Sequence, residues 1–148
     1  MMEDIRELYQ EVILDHNQSP RNFGPLETTT HELEGINPLC GDRLKLYAHL
    51  ESDRIVDIHF EGSGCAIFKA SSSIMTEIIK DKTTQEAEKL FHQFHELVTT
   101  GKGEIESMGK LAVMAGVHQY PARVKCASLA WHTLKNILDK SNETVTTE

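Results

Sequence analysis

The sequence predicts an α+β fold: a small, mainly antiparallel β-sheet covered on one face by helices, with a metal site at one end. Two adjacent segments alternate apolar and polar residues, and a short polar connection joins them. After Gly64, apolar residues recur at helical spacing along most of the remaining chain. Each alternating strand has a single apolar face, so a helical layer has to cover it.

The elements follow in chain order. Asp4 to Asn17 reads as a helix, with Ile5, Leu8, Tyr9, Val12 and Ile13 on one face. Pro20 and Gly24 end it, and 19–25 is a turn-rich connection. His31 to Leu33 reads as an edge strand. Leu44, Leu46, Ala48 and Leu50 form the apolar face of one strand, and Val56, Ile58 and Phe60 that of the next. Ser52-Asp53-Arg54 joins these two as a hairpin. Ile67, Ser71, Ile74, Met75, Ile78 and Ile79 then mark a helical face. Thr83 and Glu86 have capping-box spacing for a helix running to about Val98. Gly101-Lys102-Gly103 breaks the chain, and a short helix from Met108 to Ala115 ends at Gly116. Pro121 opens a last helix with Cys126, Leu129, Ala130, Thr133, Leu134, Ile137 and Leu138 on one face. Residues 1–148 read as a single domain, with 1–3 and 141–148 as flexible ends.

Composition narrows the function. The chain of 148 residues is 39% hydrophobic and 26% charged, as in ordinary globular proteins. The formal net charge of −8 argues against nucleic-acid binding, which needs a basic footprint. No apolar run approaches the roughly 20 residues that cross a bilayer, and the N-terminus lacks the pattern of a signal peptide. A cytoplasmic, reducing setting is the expectation. Three widely separated cysteines agree with it, since such thiols are more often buried, reactive or metal-bound than disulfide-linked.

The site candidates are Cys40-Gly41-Asp42, Gly64-Cys65 and Lys125-Cys126. Each cysteine lies near the start of an element, where a scaffold can converge reactive groups. A cysteine at a helix N-terminus also feels the positive end of the dipole, which favours the thiolate. Three thiolates and one carboxylate match the ligand count of tetrahedral zinc, and soft sulfur ligands favour zinc or an iron–sulfur cluster. Glycine between Cys40 and Asp42 lets both side chains bend toward one ion. Spacing alone leaves the bland reading open: a buried cysteine on an apolar helical face, such as Cys126, is often only a small hydrophobe, and no Cys-x-x-Cys pair is present.

The segments LYQEVILDHNQSPRNFG, NPLCGDRLKL, FEGSGCAIFKASSSIM and YPARVKCASLAW resemble the U-type (NifU/IscU-like) iron–sulfur assembly family, and within it the SufU branch. The resemblance runs from about Leu8 to Leu138. It implies an SufU/IscU-like fold and places zinc, or a transient iron–sulfur cluster, on Cys40, Asp42, Cys65 and Cys126. Scaffolds of the IscU branch carry histidine directly before the third cysteine, where this chain has Lys125. The second and third cysteines are 126 − 65 = 61 positions apart, a long interval that also resembles SufU. Tyr120 to Lys125 does not match the chaperone-recognition sequence of the scaffold branch.

By resemblance, the chain is a zinc-dependent sulfurtransferase. Cys40 accepts persulfide sulfur from a SufS-type cysteine desulfurase once a partner histidine replaces it at the zinc, and downstream cluster-assembly proteins receive the product. Arg123 and Lys125 are possible supporting residues. The alternative is a scaffold, with no turnover, on which a nascent cluster is built by the same four ligands. A structural zinc module that only docks partners is a further reading. His92 and His95, three apart on one helix, are weak metal candidates, and His118 and His132 are candidates for support near Cys126. Trp131 reads as a core anchor.

Overall fold

The computed structural model describes residues 2–103, 105–140 and 143–147, and the side chains of 10–103, 109–140 and 143–147. The elements are α1 (Met2–Gln18), β1 (His31–Asn37), β2 (Asp42–Glu51), β3 (Arg54–Ser63), α2 (Ala66–Ile79), α3 (Thr84–Thr100), a 3-10 helix (Ile105–Gln119), α4 (Pro121–Leu138) and β4 (Val145–Thr146). The sheet order is β3-β2-β1-β4. Three strands run antiparallel, while β4 lies parallel to β1, so the sheet is mixed.

Strand alternation puts Leu33, Leu44, Leu46, Ala48, Ile58 and Phe60 on the face toward the helices, where all are buried. Two strand expectations need correction. β1 runs on to Asn37, because its inward positions after Leu33 are Gly35 and Asn37, which carry no apolar signal. In β3, Ile55 rather than Val56 enters the core. The register jumps from His49↔Asp57 to Leu50↔Ile55, so Val56 is the extra residue of a bulge.

β3 is the outer strand, yet its free side is partly covered. The Gly24 N–H donates to the Phe60 carbonyl at 2.8 Å, and the Phe60 N–H to Asn22 at 3.0 Å. Further along, the Ile55 N–H donates to Lys82 and the Asp81 N–H to Ile55, both at 2.8 Å.

Helices α2 and α4 lie on the sheet and on each other. α2 is buried nearly all round, including Ser71, Ser72, Ser73 and Thr76. These small polar residues satisfy themselves locally or tie helices together; Ser71 donates to the Ala127 carbonyl of α4 at 2.6 Å. α4 approaches β1 at Gly35, where a methyl group would sit 2.5 Å from Thr133 Oγ1. α3 packs outside α4, with Phe94 stacked on Trp131 at a 4.6 Å centroid distance. Trp131 is fully buried, as the sequence implies.

The expected capping box of α3 is present: Thr83 accepts from the Glu86 N–H at 3.1 Å, and Glu86 from the Thr83 N–H at 3.0 Å. The helix continues past Val98 to Thr100 and is capped by left-handed Gly101. The short helix expected over Met108 to Ala115 is instead a longer 3-10 stretch that passes Gly116 and is kinked at Gly109. α1 begins at Met2, within the expected flexible start, and extends to Gln18. Its expected positions Ile5, Leu8 and Tyr9 lie outside the described side chains, whereas Val12 and Ile13 pack on the core. The tail read as frayed carries β4, whose Val145 is buried and pairs with Gly35. Positions 141, 142 and 148 of that tail lie outside the described residues.

Candidate metal centre

β1 and β2 are joined by a tight turn in which the Gly41 N–H donates to the Asn37 carbonyl at 2.9 Å. Gly41 has φ of 74°, a left-handed conformation that glycine adopts without steric cost. The turn delivers Cys40 to the end of the sheet and Asp42 to the first position of β2. The sulfurs of Cys40 and Cys126 and a carboxylate oxygen of Asp42 all lie within 4.8 Å of one another. Asp42 is 1% exposed and Cys126 fully buried, while Cys40 is half-buried.

Asp42 is held from both sides. Its Oδ1 accepts from the Cys65 backbone N–H and its Oδ2 from Asn37 Nδ2, each at 3.0 Å. Asn37 Nδ2 also lies 3.4 Å from Cys126 Sγ. Gly64 makes room for this carboxylate, since a Cβ there would sit 2.3 Å from Asp42 Oδ1.

Cys65 stands beside this triangle but is not part of it. It is the N-cap of α2, and its sulfur accepts from the Phe68 N–H at 3.4 Å. It is still close enough to Cys126 to influence that thiol's ionisation. Cys126 is the sixth residue of α4, in the second turn rather than the first. Burial pushes its thiol pKa well up, and the nearby Cys40, Asp42 and Cys65 add to the shift. For Cys126, in the second turn, burial acts against the thiolate that a helix N-terminus would favour.

Arg123 is exposed beside the cluster. The neighbouring Cys126 raises its pKa, and Cys65 and Cys40 act in the same direction. Lys125 instead lines a separate cleft with His95, His132 and β4 residues. The histidine candidates also lie elsewhere. His118 Nδ1 meets the Ala115 carbonyl at 2.7 Å, and its ring sits under Gly101. His95 and His132 pack against Phe91. Among the described residues no histidine joins a cluster of three or more metal-ligating groups.

The donor set fits a thiophilic cation. Two sulfurs and one carboxylate oxygen already converge, with a third sulfur next to them. Clustered acidic groups buried together favour ionisation only when a positive charge compensates them. Cys40, Asp42 and Cys126 would hold zinc, with Cys65 as the neighbouring fourth donor.

The sequence matches the NifU-like N-terminal domain family over residues 8–127. The chain belongs to that family. Two relatives of this NifU-like chain are named for sulfur transfer and iron–sulfur cluster assembly. It is 40% identical to the zinc-dependent sulfurtransferase SufU of Bacillus subtilis over 130 residues, 86% of this chain and 87% of the relative. It is also 40% identical to the iron–sulfur cluster assembly scaffold protein IscU of Thermotoga maritima over 136 residues, 90% of this chain and 94% of the relative. The crystal structure of SufU from Fervidobacterium islandicum, described as a cluster assembly scaffold for the SUF system, superposes with a TM-score of 0.82 at 37% identity. That match covers 86% of this chain and 94% of the other. The likeness to that structure accounts for the α+β architecture.

The sequence reading missed Asn37, and it named Gly64 beside Cys65 without giving it a role. Asn-Pro before Cys-Gly-Asp reads as a turn signal, and Gly-x-Gly before Cys65 as a loop. Neither pattern reveals that one side chain, or the lack of one, shapes the surroundings of Asp42.

Proposed function

We propose that this chain is a zinc-dependent acceptor and carrier of persulfide sulfur for iron–sulfur cluster assembly, supplied by a SufS-type cysteine desulfurase in the cytoplasm. Cys40, Asp42, Cys65 and Cys126 are the proposed zinc ligands and Cys40 the acceptor. The observation that carries the reading is the unequal burial of the triangle: Asp42 and Cys126 are closed off, while Cys40 remains partly accessible. A partner's persulfide can reach Cys40 without unfolding the site. The neighbouring Leu39 and the α4 N-cap residue Tyr120 are 63% and 62% exposed, apolar surface suited to a docked protein. The likeness to the Bacillus subtilis sulfurtransferase supports the same reading.

Zinc, when bound, stabilises the cysteine sulfurs as thiolates. The Cys40 thiolate attacks the terminal sulfur of the donor persulfide. A new sulfur–sulfur bond forms as the donor's breaks, and the donor cysteine leaves as a thiolate, with no net oxidation. Arg123, beside the cluster, offers positive charge to the incoming persulfide.

The likeness to IscU proteins favours a second reading, in which the same residues hold a nascent cluster. Cys40→Ser, compared with the parent at equal zinc occupancy, separates the two. Loss of desulfurase stimulation, with no added sulfur in the intact mass, supports the acceptor. Unchanged desulfurase turnover with loss of cluster formation supports the scaffold and overturns the acceptor.

A further inference from the structure

We infer that Asn37 is a positioning residue of the metal centre, joining the Asp42 carboxylate and the Cys126 sulfur through its single NH2 group and setting how tightly they hold a cation. The inference rests on the metal-binding reading above and adds to it a residue that donates no ligand. Asn37 is fully buried at the end of β1, where it pairs in register with Asp42. Its Nδ2 is 3.0 Å from Asp42 Oδ2 and 3.4 Å from Cys126 Sγ. An amide NH2 has two hydrogens, and these two acceptors match them.

The partners fix the direction of the amide. Both are acceptors when ionised, so the reversed side chain would aim carbonyl lone pairs at a carboxylate and a sulfur. Cys126 sends its own S–H toward the Ala122 carbonyl at 3.6 Å, which leaves sulfur lone pairs for Asn37. The cost of this direction is visible on the other side: Asn37 Oδ1 is buried with no hydrogen-bond partner among the described residues. The turn does not need the side chain, because it is the Asn37 backbone carbonyl that accepts from Gly41.

The chemical consequence concerns charge. Three thiolates and a carboxylate carry more negative charge than a divalent cation neutralises. An N–H donated to a thiolate draws electron density from the sulfur, and an N–H donated to the carboxylate restricts its rotation. With the Cys65 N–H on Oδ1 and Asn37 on Oδ2, Asp42 presents its remaining lone pairs in a set direction.

The test is Asn37→Leu, which keeps the volume and removes both N–H bonds and the orphaned carbonyl. Zinc affinity is read by chelator competition, and the thiolate-to-metal charge-transfer band in the cobalt(II)-loaded protein. We expect affinity to fall by about tenfold to a hundredfold and the band to move to longer wavelength, as the sulfur becomes more electron-rich. Asn37→Ser, smaller and with one hydroxyl donor, should lie between parent and Leu in both readouts. It takes the place of the Leu variant if that fails to fold. In the cadmium-loaded parent, NMR should show scalar coupling between the metal and the Asn37 side-chain amide proton through the Cys126 sulfur. Unchanged affinity, an affinity loss without a spectral shift, or no such coupling in metal-loaded parent would each overturn the inference. Those results leave the metal-binding reading intact, whereas a parent that takes up no metal sinks both.

Discussion

The Asp42 carboxylate accepts a hydrogen bond from the Cys65 backbone N–H at 3.0 Å, which ties the β1–β2 turn to the start of α2. Asp42 is thus a structural link as well as a candidate ligand. Asp42→Ala strands this N–H and should lower the stability of the metal-free protein by about 1–3 kcal/mol. Asp42→Asn keeps a carbonyl for Cys65 and should recover most of that stability, while zinc affinity stays below that of the parent. Denaturant unfolding of metal-free protein, alongside chelator competition, measures both. Equal stability of the Ala variant and the parent would show that the link carries no weight.

Metal removal should destabilise the fold, because the converging side chains come from β2, the β1–β2 turn and α4. A ligand at a hundredfold excess over its Kd stabilises the native state by about 2.7 kcal/mol. Complete chelation should therefore lower the Tm by roughly 5–10 °C for a domain of this size. Calorimetry before and after chelation checks this, and an unchanged Tm counts against zinc as a clamp.

Gly64→Ala places a methyl group 2.3 Å from Asp42 Oδ1 and 2.8 Å from the Phe68 ring. Phe68 is fully buried and cannot easily retreat. We expect a loss of about 1–3 kcal/mol together with weaker zinc binding, since relief of the clash displaces the carboxylate. Zinc titration of the folded variant is the measurement. Parental affinity would mean that the carboxylate position is immaterial.

His16 makes stability depend on pH. It is fully buried, its Nδ1 is 2.7 Å from Ser73 Oγ, and Lys110 Nζ lies 3.4 Å from its Nε2. Burial lowers its pKa, and the Arg21 and Lys110 charges do the same, against the opposing pull of Glu77 and Asp15. The unfolded chain therefore binds this proton more readily than the native one, so stability rises with pH. The contribution is present above the unfolded-state pKa of about 6.5 and is lost as pH falls toward the lower folded value. In metal-free protein, His16→Gln should flatten the stability profile below that pH. A profile with the parent's slope would place the dependence on another group.

Thr83→Ala removes one half of the α3 capping box and should cost about 1 kcal/mol. Zinc affinity should remain unchanged, because Thr83 lies at the start of α3 and makes no contact with the thiols described above. A drop in affinity would reveal coupling between that helix start and the metal centre.

Much of the fold is legible in the sequence because apolar periodicity reports burial directly. It identifies the β2–β3 hairpin and the helices, and capping chemistry identifies the start of α3. It fails where inward positions are not apolar. β1 hides Gly35 and Asn37 on its core face, one shaped by the approach of α4 and the other by hydrogen bonding. The Val56 bulge displaces the inward residue by one, which no alternation pattern records. β4 is two residues long and depends wholly on its pairing with β1. At the site, Cys40, Asp42 and Cys126 converge, while Cys65 stands beside their triangle, a difference that residue types do not encode. The distinction between Arg123 beside the thiols and Lys125 in a separate cleft depends on helical phase, since residues two apart on α4 face different ways.

The coverage of β3 by chain segments 22–24 and 81–83 bears on how the protein behaves when crowded at high concentration. An outer strand with free N–H and C=O groups is a template on which another molecule's strand can polymerise. Here backbone from both sides already occupies Phe60 and Ile55, and the opposite border of the sheet is the two-residue β4. β4 pairs with β1 only at Gly35 and Ile36, so the fuller protection is on the β3 side. Strand addition to β3 would therefore have to displace segments 22–24 and 81–83 first, whatever the half-buried Cys40 presents at the end of the sheet.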